Sequence, residues 1–124
     1  MRQLITKAYL KIKEATGYSL HGLKAAAQDE FAFRLELIAG IIALPLSFFI
    51  GKTYFECALL ISSLLVVFIV ELLNSAVETT LNRIDKSWNP LTKKAKDLGS
   101  AAVFIAIINA LVIWILLIVS RFHA

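Results

Sequence analysis

The stretch Leu98–Ser120, LGSAAVFIAIINALVIWILLIVS, runs for 23 residues without a charged side chain. About 20 apolar residues let a helix cross the hydrocarbon core of a bilayer. This segment therefore reads as a membrane span, 98–120, and it decides the class of the protein. Upstream, the uncharged run Cys57–Val70 continues past Glu71 to about Leu81 without Gly or Pro, so one long helix is expected over 57–81. A third run, Leu37–Gly51, is short alone. Phe31, Ala32, Phe33 and Leu35 extend it, and 33–52 supplies a span with Arg34 and Glu36 at its boundary. Pro45 falls inside that span as a kink, which membrane helices tolerate. The five residues Lys52–Glu56 allow only a tight hairpin between the first two spans.

Composition agrees. Hydrophobic residues make up 59% of the 124 and charged residues 18%, too little polar surface for a soluble domain of this length. The net charge of +4 is carried mostly beside apolar runs. Anionic lipid headgroups or a phosphate-bearing cosubstrate are the expected partners, not nucleic acid. Cys57 is the only cysteine, which excludes an intrachain disulfide and a Cys metal cluster. Lys7, Lys11, Lys13, Glu14, Lys24, Asp29 and Glu30 interrupt the first 30 residues, so no cleavable signal peptide is expected.

The chain reads as a single unit, 1–124, with an amphipathic surface region over 1–30. Leu4, Ile5, Ala8, Ile12 and Ala15 recur at helical spacing, with Lys7, Lys11 and Glu14 on another face. Such a helix lies in the membrane interface with its lysines toward headgroups. Gly17 is expected to interrupt it, and Ser19 to cap a second helix running toward Glu30. A polar loop, 82–97, contains Pro90. Arg2, Lys7, Lys11, Lys13, Lys24 and Arg34 precede the first span; Arg83, Lys86, Lys93, Lys94 and Lys96 lie between the second and third; only Lys52 and Arg121 fall on the other side. Positive residues stay in the cytoplasm, so the N-terminus and the 82–97 loop are expected inside and the C-terminus outside.

The chemistry concentrates in Glu71-Leu-Leu-Asn-Ser-Ala-Val-Glu78. Offsets of three, four and seven put Glu71, Asn74, Ser75 and Glu78 on one helix face, which Asn82 and Asp85 continue. Ionisable groups at a membrane boundary are costly and mark functional sites by default; the alternative is a polar stripe that holds helices together. A second cluster, Lys96-Asp97-Leu98-Gly99-Ser100, faces the same leaflet, as do Asp29 and Glu30. Carboxylates hold Mg²⁺ and lysines neutralise phosphate oxygens, the minimum equipment for phosphoryl transfer. Interfacial snorkelling of Lys96 and helix capping by Asp97 are the plainer roles. Gly51-Lys52-Thr53 is not a P-loop, because Leu46 stands where the first glycine belongs. His21 and His123 are isolated, and Trp88 and Trp114 suit interfacial belts.

Glu71–Glu78 and Ala95-Lys-Asp-Leu-Gly-Ser-Ala-Ala102 resemble the two signature blocks of the prokaryotic diacylglycerol kinase family. Gly17-Tyr18-Ser19, Gly22-Leu23 and Glu30 with Phe33-Arg34 are similar to it as well. The resemblance covers nearly the whole chain. It implies an all-α membrane protein of the bacterial inner membrane: a homotrimer, each chain having three transmembrane helices and an amphipathic surface helix, with active sites between neighbouring chains. It implies MgATP as phosphate donor and a lipid alcohol as acceptor, most simply diacylglycerol becoming phosphatidic acid. By position it makes Glu71 the general base and Glu30 and Glu78 the metal-linked acids. Asn74, Lys96 and Asp97 line the nucleotide site, which the loop Ser87-Trp88-Asn89 approaches. Lys11 and Tyr18 sit where the surface helix approaches ATP and lipid, and Ser19, Arg34, Ser100 and Trp114 lie near the lipid. The family more often carries an acidic residue, Tyr and His where Ser87, Trp88 and Asn89 stand here, and an apolar residue at Asn109. Asn109 is expected to bond a neighbouring helix.

Undecaprenol kinases share the signature blocks, so the lipid acceptor has an alternative. A different class also stays open: a small oligomeric channel or assembly subunit whose acidic stripe lines a pore. Magnesium-dependent ATP consumption in the presence of lipid separates enzyme from pore.

Overall fold

A computed structural model describes residues 1–123; Ala124, the last residue of the expected single unit, lies outside the described residues. The described chain is four α-helices: α1 (Arg2–Asp29), α2 (Phe31–Ile50), α3 (Tyr54–Ile84) and α4 (Pro90–Phe122). The last three are long and apolar enough to cross a membrane.

α1 is one helix of 28 residues, which corrects the expected interruption at Gly17. A helical glycine costs about 1 kcal/mol, and the surrounding turns absorb it. Ser19 is not a cap: its hydroxyl donates to the Ala15 carbonyl at 2.9 Å inside the same helix. The break comes instead at Glu30, a single extended residue (φ −106°, ψ 109°) that caps α1 and begins α2. Arg34 reaches back to secure this corner, its guanidinium donating to the Gln28 carbonyl at 2.8 Å.

α2 runs through Pro45 and ends at Gly51, whose N–H bonds to the Ser47 carbonyl at 3.0 Å. Thr53 then caps α3 by accepting from the Glu56 N–H at 3.1 Å, while the Glu56 carboxylate accepts from the Lys52 N–H at 2.6 Å. This is close to a capping box, with all its groups supplied by the five residues Lys52–Glu56. α3 and α4 extend well beyond their expected spans. The polar loop read as 82–97 shrinks to residues 85–89, because α3 continues to Ile84 and α4 starts at Pro90. Pro90 is therefore a helix-starting residue, behind an Asn89 side chain that accepts from the Leu91 N–H at 2.8 Å.

α3 packs mainly on α4, and α2 leans on α3. Small residues on α4, Ala106 and Ala110, are buried at this seam, together with Leu60 and Ser63 of α3. Without a hydrophobic drive between helices in lipid, such small side chains let backbones approach. Phe33 meets Phe68 edge to face at 5.7 Å. Trp114 is half-buried, and its indole N–H donates to the Ser63 hydroxyl at 3.2 Å between α4 and α3. Most apolar side chains remain exposed, among them Ile41, Phe48, Ile105 and Leu116.

Candidate active site

The candidate site forms where the α1–α2 corner meets the middle of α3. Glu71 is buried, at 6% exposure. Its charged neighbours are carboxylates: Glu30 at the corner, Glu78 two turns along α3, and Glu36 one turn into α2. The ion pair found among the described residues, Lys93–Asp97 at 2.6 Å, is elsewhere. Of the four acids, Glu71 alone is buried while Glu30, Glu36 and Glu78 are partly exposed, and none of them is in an ion pair among the described residues.

Glu36 is the member that reading the sequence missed. The sequence places it only at a boundary, because a lone Glu near a helix start is an ordinary interfacial residue. In the structure one of its carboxylate oxygens is buried with no hydrogen-bond partner. It borders an apolar groove of about 350 Å³ between α2, α3 and α4 that also includes Phe68, Ile107 and Trp114. The signal available beforehand was position: Glu36 is the last charged residue before the uncharged stretch Leu37–Gly51, and an ionisable group at such a boundary is a candidate by default.

A second groove, about 520 Å³, lies between α1 and α3. Ser19, Gly22, Asp29 and Glu30 form one wall, and Leu72, Ser75 and Thr79 the other. Asn74, on the neighbouring flank of α3, presses its carboxamide against Gly99 of α4. Its oxygen is buried and unpartnered. One turn beyond Glu78, Lys96 Nζ donates to Asn82 Oδ1 at 3.1 Å. Asn82 belongs to the polar stripe and fixes the direction of Lys96.

Ser87, Trp88, Asn89, Lys96 and Asp97 surround a separate groove of about 340 Å³ at the α3–α4 loop. Asp85 shapes this loop. The Ser87 hydroxyl (2.6 Å) and backbone N–H (2.8 Å) both donate to it and hold its carboxyl below the usual carboxylate range. Asp97 is half of the Lys93 pair, not a helix cap, since α4 begins seven residues earlier. Ser100 is exposed.

Other expected residues are not gathered in. Lys11 and Tyr18 are exposed on α1. At 1.5 Å per residue, Lys11 stands roughly 28 Å along the helix from Glu30. Asn109 is exposed rather than bonded to a helix of its own chain. No three His, Cys, Asp or Glu side chains among the described residues enclose a metal by themselves.

Residues 17–118 match the family described as prokaryotic diacylglycerol kinase. The chain belongs to that family. It is 50% identical over 100 residues to a diacylglycerol kinase of Haemophilus influenzae, covering 81% of this chain and 85% of the relative. It is 44% identical over 117 residues to that of Escherichia coli K12, covering 94% and 96%. A Pseudomonas aeruginosa diacylglycerol kinase is 44% identical over 104 residues, covering 84% and 85%. Family membership makes the chain a kinase and sets the pore-lining alternative aside. Every helix of the site falls wholly or partly inside the matched range.

Proposed function

We propose that this diacylglycerol kinase transfers the γ-phosphate of MgATP to the primary hydroxyl of diacylglycerol, giving phosphatidic acid, where the α1–α2 corner meets α3. The observation that carries the site assignment is the buried Glu71 with only carboxylates as charged neighbours. A carboxylate buried beside other acids has no packing value, and its burial is costly. In this reading Glu71 accepts the lipid hydroxyl proton as that oxygen bonds to the γ-phosphorus and the bond to ADP breaks. The apolar groove beside Glu36 and Trp114 supports approach of an acyl chain from the hydrocarbon side.

Glu30 and Glu78 would hold the divalent metal. Mg²⁺ takes one or two protein carboxylates and completes its shell with substrate phosphates and water. A pair of acids without a third protein ligand fits that habit. Bound there, Mg²⁺ would offset the phosphate charge. Asn74 and Lys96 would face the nucleotide, with the Ser87–Asn89 groove further along toward its base. Lys11 and Tyr18 stand far from Glu30 along α1, and Asn109 and much apolar surface are exposed; both support assembly into a homotrimer with shared sites. The orientation we propose is N-terminus inside and C-terminus outside. Cysteine labelling of an Ala124→Cys chain lacking Cys57 tests it in intact cells, and protection of that cysteine from an impermeant reagent overturns it.

The activity is tested with purified protein in mixed micelles, offering labelled ATP with diacylglycerol and undecaprenol side by side. Magnesium-dependent label in phosphatidic acid is expected. Preferential labelling of undecaprenol would move the acceptor, and absence of labelled lipid would remove the kinase reading.

A further inference from the structure

α4 crosses α3 at Gly99, where a larger residue would need the facing side chain of α3 to move. A Cβ built on Gly99 would overlap Asn74 Oδ1 and lie 3.3 Å from its Cγ. Gly40 and Gly51 are also too tight for a Cβ, but against an apolar ring and against the hairpin turn. Gly17 and Gly22 face open space. Gly99 alone meets a polar side chain of the candidate site. It also sits inside a 33-residue helix, where glycine costs about 1 kcal/mol relative to alanine. Helix formation therefore gives no reason for it.

The second observation is on the other side of the contact. Asn74 Oδ1 is buried and accepts no hydrogen bond. A buried acceptor without a donor costs about 1–3 kcal/mol, and an apolar residue of similar shape would avoid that cost. Asn74 stands one turn from both Glu71 and Glu78 on the same face of α3. Its carboxamide can leave Gly99 only by turning to another rotamer or by pushing α4 away. Either change moves the oxygen relative to both carboxylates.

We propose that Gly99 is a positioning residue: its missing side chain lets the Asn74 carboxamide lie against the α4 backbone, with Oδ1 turned into the α3–α4 crossing, and so fixes how the amide is presented to the incoming MgATP. This rests on the nucleotide site proposed above. Gly99 touches no reacting atom and acts only through Asn74.

The test is a cycle of Gly99→Ala, Asn74→Ala and the double variant. kcat and KM for MgATP are measured at saturating diacylglycerol, alongside the thermal midpoint of the assembled protein. Gly99→Ala is expected to lower kcat/KM for MgATP about 10-fold in the parent and less than about 2-fold when Asn74 is already Ala, the coupling expected of residues in contact. A purely structural Gly99 gives equal losses in both backgrounds; that result overturns the proposal and leaves the site reading standing. Parental use of MgATP by Asn74→Ala overturns both. If Gly99→Ala fails to assemble, the double variant, which removes the overlap, must recover the fold. A double variant that stays unassembled also overturns the proposal.

Discussion

At the hairpin end of the bundle, polar groups find partners within the chain. Thr53 and Glu56 cap α3 between them, Lys52 Nζ donates to the Ser120 carbonyl at 2.6 Å, and Arg121 lies over the Phe49 ring at 5.6 Å. Near the α1–α2 corner the same chain leaves a buried oxygen of Glu36 and that of Asn74 without a donor, and sets Glu71 among acids. One sequence thus treats its two ends by opposite rules. Local capping closes the hairpin end and makes it a structural clasp. The corner carries unspent acceptors, whose cost is justified only by a cation or donor that arrives from outside the chain.

The largest expected effect that sharpens this comparison is at Glu71. Glutamine keeps the shape and hydrogen-bonding capacity but cannot take up the lipid proton. Glu71→Gln should lose at least about 100-fold in turnover, the low end for a positioned general base. It should be no less stable, because a buried charge among like charges is removed. Kinase rate per folded oligomer, measured with thermal stability in one detergent, checks both halves. Near-parental turnover in a folded protein would end the assignment.

Next come Glu30→Gln and Glu78→Gln. Each removes a hard-oxygen ligand, so apparent affinity for MgATP should fall roughly 10-fold or more, a usual loss for a perturbed metal site, with lipid affinity nearly unchanged. Raising free Mg²⁺ should recover part of the loss. Titration of MgATP at fixed diacylglycerol reads it, and unchanged affinity in both variants would take these residues out of the metal site.

The sequence showed most of the helices and part of the site, for identifiable reasons. Uncharged runs marked the spans, and the three-four-seven spacing placed Glu71, Asn74 and Glu78 on one face because helical phase is a local property. The helix ends were misjudged where polarity was taken for loop. Residues 90–97 are charged yet helical, since Asn89 and Pro90 start α4 before it becomes apolar. Glu36 and Gly99 were not legible as site residues because each matters through another helix: Glu36 through its place beside Glu71, Gly99 through the carboxamide it admits. The bond from Trp114 to Ser63 is hidden for the same reason, the two residues lying 51 apart in the chain.

Between the two ends, Trp114→Phe is a smaller test. It deletes the indole donor to Ser63 while keeping an aromatic ring. Ser63 retains its own bond to the Leu60 carbonyl at 2.7 Å, so no donor is orphaned. Interhelical hydrogen bonds in membranes average about 0.6 kcal/mol, and a stability loss of that order is expected in denaturation of the assembled protein. A several-fold change in KM for diacylglycerol, without loss of stability, would instead make Trp114 a lipid contact.

The smallest effect is expected at the clasp itself, from Lys52→Met. The Lys52 ammonium bonds one of the last carbonyls of α4, an acceptor without a backbone partner among the described residues, and its charge sits at the negative end of the helix dipole. Both interactions are exposed, so solvent screens them and water replaces the lost donor. Methionine keeps the length and the apolar stem of the side chain. The expected loss is about 0.3 kcal/mol at low salt, shrinking further as ionic strength rises, with kcat and both KM values unchanged. The pairing at the hairpin end predicts this indifference: groups already satisfied locally have nothing left for substrate. Thermal midpoints at two salt concentrations and a full kinetic comparison would decide it. If Lys52→Met slowed turnover while the fold held, the hairpin end would be coupled to the reaction, and the division between a closed clasp and an open site would have to be abandoned.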